Sequence, residues 1–253
     1  MEQTTWSHTR LEALFECGER YRLVYRRKAP RRPAWWFVAG ATFHTAAQTF
    51  DLLGGDIVGH AEKAWDSIMA EAAQREPDHA QWLSAARGAT GETLRQQVLE
   101  WCRTYEQWRQ QNGHLRCVHI EHKIEFTVAG KPFICYIDRT FVDTKTGEPL
   151  LVDLKTGSRK PESVEQLQIY ARALAAAGFH CGWGAFYLAR TGELTTPVRL
   201  DENYATLDVK VKAAQLLDDA NLLVPHPGRR CATCDVAQFC TVIGGAQADQ
   251  YRE

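Results

Sequence analysis

The spacing of apolar residues changes period in the middle of this 253-residue chain, and that change limits the fold to a sheet wrapped by helices. Val118, Ile120, Ile124, Phe126 and Val128 alternate with His119, Glu121, Lys123, Glu125 and Thr127, the pattern of a half-exposed strand. Gly130 supplies a turn, and the largely apolar run Phe133 to Phe141 reads as a more buried central strand. Thr144-Lys145-Thr146-Gly147 is a second turn, leading into a strand over Leu150 to Lys155. A helix from about Glu162 to Ala177 and a strand over Gly182 to Ala189 complete a mixed α/β (α+β) core.

The flanks read as helical. Thr9-Arg10-Leu11-Glu12 matches a capping box opening a helix through Cys17. Further helices are expected over Ala39 to Leu53, with Phe43, Ala46, Ala47 and Phe50 at helical spacing, and over Gly59 to Arg75 and Asp78 to Gln111. A Leu-rich helix and a cysteine-bearing loop end the chain. No repeat or flexible linker divides it, so the expectation is one domain over 1–253: a mainly helical part over 1–115, a sheet core over 116–200, and a helix with a cysteine clasp over 201–253. The chain begins with polar residues and has no apolar run near 18 residues, which points to the cytoplasm and away from membranes.

A formal net charge of -1 is uninformative, but its distribution is not. No acidic residue lies between Glu19 and Asp51, whereas Arg20, Arg22, Arg26, Arg27, Lys28, Arg31 and Arg32 do, interleaved with Tyr21, Tyr25, Trp35 and Trp36. Clustered arginines beside aromatics suit phosphates and bases. A solvated basic helix face explains such a run equally well.

The turn centred between Lys145 and Thr146 sets Asp138 opposite Asp153 in an antiparallel pair, with Cβ atoms about 4.5–5.5 Å apart. Two carboxylates there repel unless a cation or proton lies between them. Lys155, two residues on, projects from the same face. Carboxylate oxygens suit Mg²⁺ or Mn²⁺, and a nearby ammonium suits developing charge in phosphodiester hydrolysis. A one-residue slip abolishes this arrangement, and Asp-x-Lys alone is common on solvated strands. Gln166 and Tyr170 follow, four apart on one helix face.

Four segments, in this order and spacing, resemble the PD-(D/E)xK nucleases of the RecB type: Gly40-Ala41-Thr42-Phe43-His44, Tyr136-Ile137-Asp138-Arg139, Asp153-Leu154-Lys155-Thr156-Gly157 and Gln166-Leu167-Gln168-Ile169-Tyr170. The resemblance implies a restriction-endonuclease-like core and a metal-dependent deoxyribonuclease. His44, Asp138 and Asp153 would be metal ligands, with the Leu154 carbonyl a further one. Lys155 would be the catalytic lysine, and Gln166 and Tyr170 would position the strand or support the site. His44 outside such a motif would read as a structural histidine, and Glu121 is either a further site residue or part of an exposed strand face. Cys135 stands where many relatives carry glycine, and Glu16-Cys17-Gly18-Glu19-Arg20-Tyr21 lacks the family's usual proline after cysteine.

Of eight cysteines, Cys102, Cys117, Cys135 and Cys181 read as buried small hydrophobes. Cys231, Cys234 and Cys240 supply three thiolates, one short of a tetrahedral or cubane set. Similarity to the AddB and CRISPR-associated RecB-like nucleases implies that Cys17 is the fourth and that the group is a 4Fe-4S cluster, with zinc the alternative. Arg229 and Arg230, beside the clasp, could reach a DNA backbone. The same resemblance implies an exonuclease on single-stranded DNA or DNA ends, in recombination, repair or CRISPR adaptation, with protein partners from such complexes. The competing readings are a DNA-end-binding module that does not cleave and a subunit active only within a larger assembly.

Overall fold

The computed structural model describes residues 4–85 and 88–251. Helix α1 (His8–Glu16) is capped by Ser7, whose hydroxyl accepts from the Arg10 amide; the cap therefore lies two residues before the expected Thr9. A single turn, α2 (Gly18–Tyr21), continues into a π-helical turn over Arg22–Arg26. Helix α3 (Trp35–Leu53) starts one turn earlier than its apolar spacing suggests. Helix α4 (Ile57–Arg75) is capped by Asp56, which accepts from the Val58 amide. Helix α5 covers Gly91–Gln111. The expected helix from Asp78 is replaced by a short 3₁₀ turn at His79–Gln81, which Asp78 caps, so α5 begins thirteen residues later; Ala86 and Arg87 on that stretch lie outside the described residues.

Strands β1 (Leu115–Val128), β2 (Lys131–Asp143) and β3 (Pro149–Lys155) form an antiparallel meander. Helix α6 (Glu165–Ala176) then crosses over so that β4 (Trp183–Leu188) pairs parallel to β3, and the two-residue strands β5 (Glu193–Leu194) and β6 (Val198–Arg199) pair with β4. The order β1-β2-β3-β4-β5 makes a mixed sheet. Helix α7 (Thr206–Asp219) precedes the cysteine-bearing segment. Among the described residues no helix is long and apolar enough to cross a membrane.

Helices cover both faces of the sheet. One core gathers Leu11 and Leu14 of α1, Leu167 and Leu174 of α6 and Val211 of α7 against Ile137 and Leu151. The other gathers Phe43 of α3, Trp65 of α4 and Trp101 and Tyr105 of α5 against Phe141, Val152 and Tyr187. Strict alternation would place Ile137 and Phe141 on one face, yet they lie in opposite cores. The strand pair changes faces between them. At that point Glu121 adopts φ 45, a left-handed backbone that costs a non-glycine residue on the order of 1 kcal/mol or more. Pairing of Ile120 with Arg139 and of His122 with Ile137 puts Glu121 across from Asp138.

The chain ends are pinned together. The Gly18 amide donates to the Val224 carbonyl, and a Cβ at Gly18 would lie 2.3 Å from the Leu223 carbonyl carbon, so only glycine fits. His226 contacts the Glu16 carbonyl, and Arg230 pairs with Glu16. The basic cluster serves the same junction. Arg20 and Arg31 both pair with buried Asp235, Arg26 pairs with Asp218, and Arg22 pairs with Glu19 and reaches the Tyr251 carbonyl.

Candidate active site

The β2–β3 ladder runs in the register that the hairpin turn dictates and ends with Arg139 opposite Val152; Asp138 and Asp153 are the next residues in that register. In place of a ladder hydrogen bond, the Leu154 amide donates to Asp138 Oδ2 at 2.7 Å. From α3, His44 places Nδ1 3.7 Å from Asp138 Oδ1 and 3.7 Å from Glu121 Oε1. Gly40, one turn earlier on α3, lets that helix approach β3: a Cβ there would sit 3.3 Å from Thr156 Oγ1.

His44, Glu121 and Asp138 bring one ligand atom each to within 4.8 Å of one another, a spacing that suits a single divalent ion. Asp153 stands just outside this trio. Its buried Oδ2 is ion-paired with Lys155 Nζ at 2.7 Å. Three carboxylates and an imidazole form an oxygen-rich donor set that fits Mg²⁺ or Mn²⁺. Glu121 thus stands beside His44 and Asp138, and the Leu154 backbone contributes an amide that orients Asp138.

The electrostatics are those of a cation site. Burial, then the Asp138 charge, pushes Asp153 up to about 7. Burial also raises Asp138, against the opposing charge of His44. Burial alone would depress His44, but Asp138 and Glu121 raise it above its ordinary value. Burial would raise Glu121, but His44 and Arg139 beside it hold it below the usual carboxylate range. Such a cluster keeps a proton when no cation neutralises it.

Behind the site lies a buried ionic chain that sequence patterning does not reveal. Arg139, fully buried, donates to Asp51 at 2.6 Å, to Glu121 at 3.2 Å and to the Asp138 carbonyl at 2.6 Å. Asp51 also accepts from Tyr105 and Arg109. The network fixes Glu121 in its strained conformation through a charge that has no access to water. In front, Lys155 Nζ donates to Gln166 Oε1 at 2.7 Å, and Gln166 Nε2 donates to the Tyr170 hydroxyl at 2.6 Å. Gln166 and Tyr170 thus hold the ammonium from α6.

The remaining sequence-predicted residues fall elsewhere. Cys17, Cys231 and Cys234 line one cavity of about 340 Å³, with Trp36 at its edge. Cys240 packs with Cys234 against the small core of Leu23, Val236 and Phe239. Trp35 is buried against Trp82, which leaves Trp36 as the accessible ring of that pair. Arg20, Arg22 and Arg26 are engaged at the junction of the chain ends, and Arg27 lies at the end of the π-helical turn.

The mixed sheet flanked by helices and this acidic, lysine-bearing strand pair fit a nuclease fold, and the comparison of families agrees: the model of the PD-(D/E)XK nuclease superfamily matches residues 5–241. The chain belongs to that superfamily. Among solved structures, it is similar to a protein from Eubacterium rectale whose name gives it as a candidate exonuclease. The two are 12% identical, the match covers 92% of this chain and 87% of that one, and the TM-score is 0.52, a likeness of fold. A second similar structure is SSO0001, 13% identical over 96% of this chain and 88% of that one, with a TM-score of 0.46. A search of curated proteins found no match.

Proposed function

We propose that the protein is a Mg²⁺- or Mn²⁺-dependent DNA exonuclease acting on single strands or free ends, with His44, Glu121, Asp138, Asp153 and the Leu154 carbonyl as the metal-holding set. The observation that carries this reading is the end of the β2–β3 ladder, where Asp138, Asp153 and Lys155 converge beside His44. When bound, the divalent ion supplies Lewis acidity and a more acidic water. Asp138 is oriented by the Leu154 amide. Lys155 carries the positive charge closest to Asp153, and the Gln166–Tyr170 pair fixes its direction toward the place where phosphate charge builds. A module that only binds DNA has no use for a lysine anchored in this way.

We further infer that Cys17, Cys231, Cys234 and Cys240 hold a structural 4Fe-4S cluster. A tetrahedral zinc, with sulfurs about 2.3 Å from the metal, needs them roughly 3.8 Å apart. Cys17, Cys231 and Cys234 share one cavity, and Cys240 packs beside Cys234. A cubane holds its thiolates farther apart, and the cavity that three of them line offers the room.

DNA labelled at either end and incubated with Mg²⁺, Mn²⁺ or chelator tests the first reading. Metal-dependent shortening is expected, and its direction gives the polarity; binding without products would favour a non-cleaving or partner-dependent role. Protein purified anaerobically should be brown, and a colourless protein with one equivalent of zinc would overturn the cluster.

A further inference from the structure

The cleft beside His44 carries a cation that neither the catalytic set nor the clasp uses. It measures about 750 Å³ and is bordered by Trp36, Phe37, His44, Gly157 and Arg190. Arg190 lies two residues beyond β4, whose Leu188 pairs with Lys155 at the end of β3, so the sheet delivers Arg190 to the level of the catalytic lysine. Its Nε donates to the Thr156 carbonyl at 2.8 Å, and its guanidinium stacks 4.7 Å above the Trp101 ring. Both contacts fix its plane, and Arg190 has no carboxylate partner among the described residues. Arg20, Arg22, Arg26 and Arg31, by contrast, are all paired with acids.

The same cleft is lined by two aromatic rings, Trp36 and Phe37, with centroids 5.9 Å apart; Trp36 is half-buried, and Phe37 is 49% exposed with the Arg31 guanidinium over its ring. An oriented guanidinium with no acid partner, in one cleft with a partly exposed ring, is the combination that holds an unpaired nucleotide: the fork takes a phosphate and the ring takes a base face. A duplex buries its base faces and cannot use the rings.

We propose that this cleft is the entry path of single-stranded DNA, with Arg190 gripping a backbone phosphate next to the metal site and Trp36 stacking on a base. The proposal rests on the nuclease reading above and names the strand form and the binding residues of that site.

The test is fluorescence anisotropy of the full chain with labelled oligothymidine and with a duplex of equal length, in chelator so that nothing is cleaved. Arg190→Ala should weaken single-strand binding about three- to tenfold and flatten the salt dependence by about 0.7, the share of one phosphate contact. Arg190→Lys should restore the salt slope. Trp36→Ala should weaken binding by at least about fivefold with the slope unchanged. Mn²⁺ titration and thermal melting, unchanged in Arg190→Ala, exclude a general loss of structure; if that variant melts early, Arg190→Gln carries the same comparison. Arg190→Ala with wild-type affinity and slope would overturn the proposal and leave the nuclease reading intact, as would a wild type that prefers the duplex. A wild type that binds no nucleic acid would overturn both.

Discussion

Replacing Asp153 by Asn should make the metal-free protein more stable at alkaline pH while destroying its response to metal. Asp153 is buried beside Asp138 and pushed up to about 7 in the fold from an ordinary value of 3.8. A carboxylate raised by folding contributes stability that is fully present below about pH 4 and lost as pH climbs through 7. About 3 units at 1.36 kcal/mol each place the native-state cost near 4 kcal/mol at pH 8. Asn removes that cost, in which the attraction of the partly exposed Lys155 is already counted. The gain at pH 8 is therefore up to about 4 kcal/mol, or roughly ten degrees in melting temperature for a chain of this size. Urea unfolding in chelator, run anaerobically at pH 4.5 and pH 8, measures the difference between variant and wild type. It should be about 1 kcal/mol at the lower pH and several-fold larger at the higher, and added Mn²⁺ should stabilise only the wild type. A difference that does not change with pH would refute the claim that the acidic pair is a strained, cation-seeking cluster.

Three further outcomes follow from other parts of the molecule. Gly18→Ala forces a methyl group into the Leu223–Val224 backbone and should cost about 1–3 kcal/mol; limited proteolysis should then cut after Ala220 sooner than in the wild type. Arg139→Met removes the buried cation shared by Asp51 and Glu121, leaving Asp51 with Arg109 and Tyr105 and Glu121 with His44, and should cost about 3 kcal/mol in urea unfolding, together with weaker Mn²⁺ binding by calorimetry. Cys17→Ser should lower iron content and visible absorbance after anaerobic purification; an unchanged spectrum would remove Cys17 from the cluster.

The meander was legible because a tight turn and a period of two fix register: the centre between Lys145 and Thr146 already determines that Arg139 meets Val152. Glu121 was only half legible. Its place in the site depends on a left-handed residue and a change of face between Ile137 and Phe141, and alternation encodes neither. The arginine cluster was visible as charge, but its partners Asp218 and Asp235 lie some two hundred residues away, and no local pattern announces them. Asp51 and Arg139 look like ordinary helix and strand residues until packing buries them together. The over-long helix from Asp78 failed because helical spacing continues through a segment that the fold uses to bring Leu83 beside Ala34.

The central claim is that Lys155 acts on a phosphodiester bond at a metal site built by its neighbours. Wild type and Lys155→Ala, compared on end-labelled single-stranded DNA in Mn²⁺ with metal binding followed in the same samples, test it most directly. The account predicts that the variant binds the ion and the DNA but loses at least about a hundredfold in cleavage. Equal cleavage by both proteins, or products that persist in chelator, would contradict it.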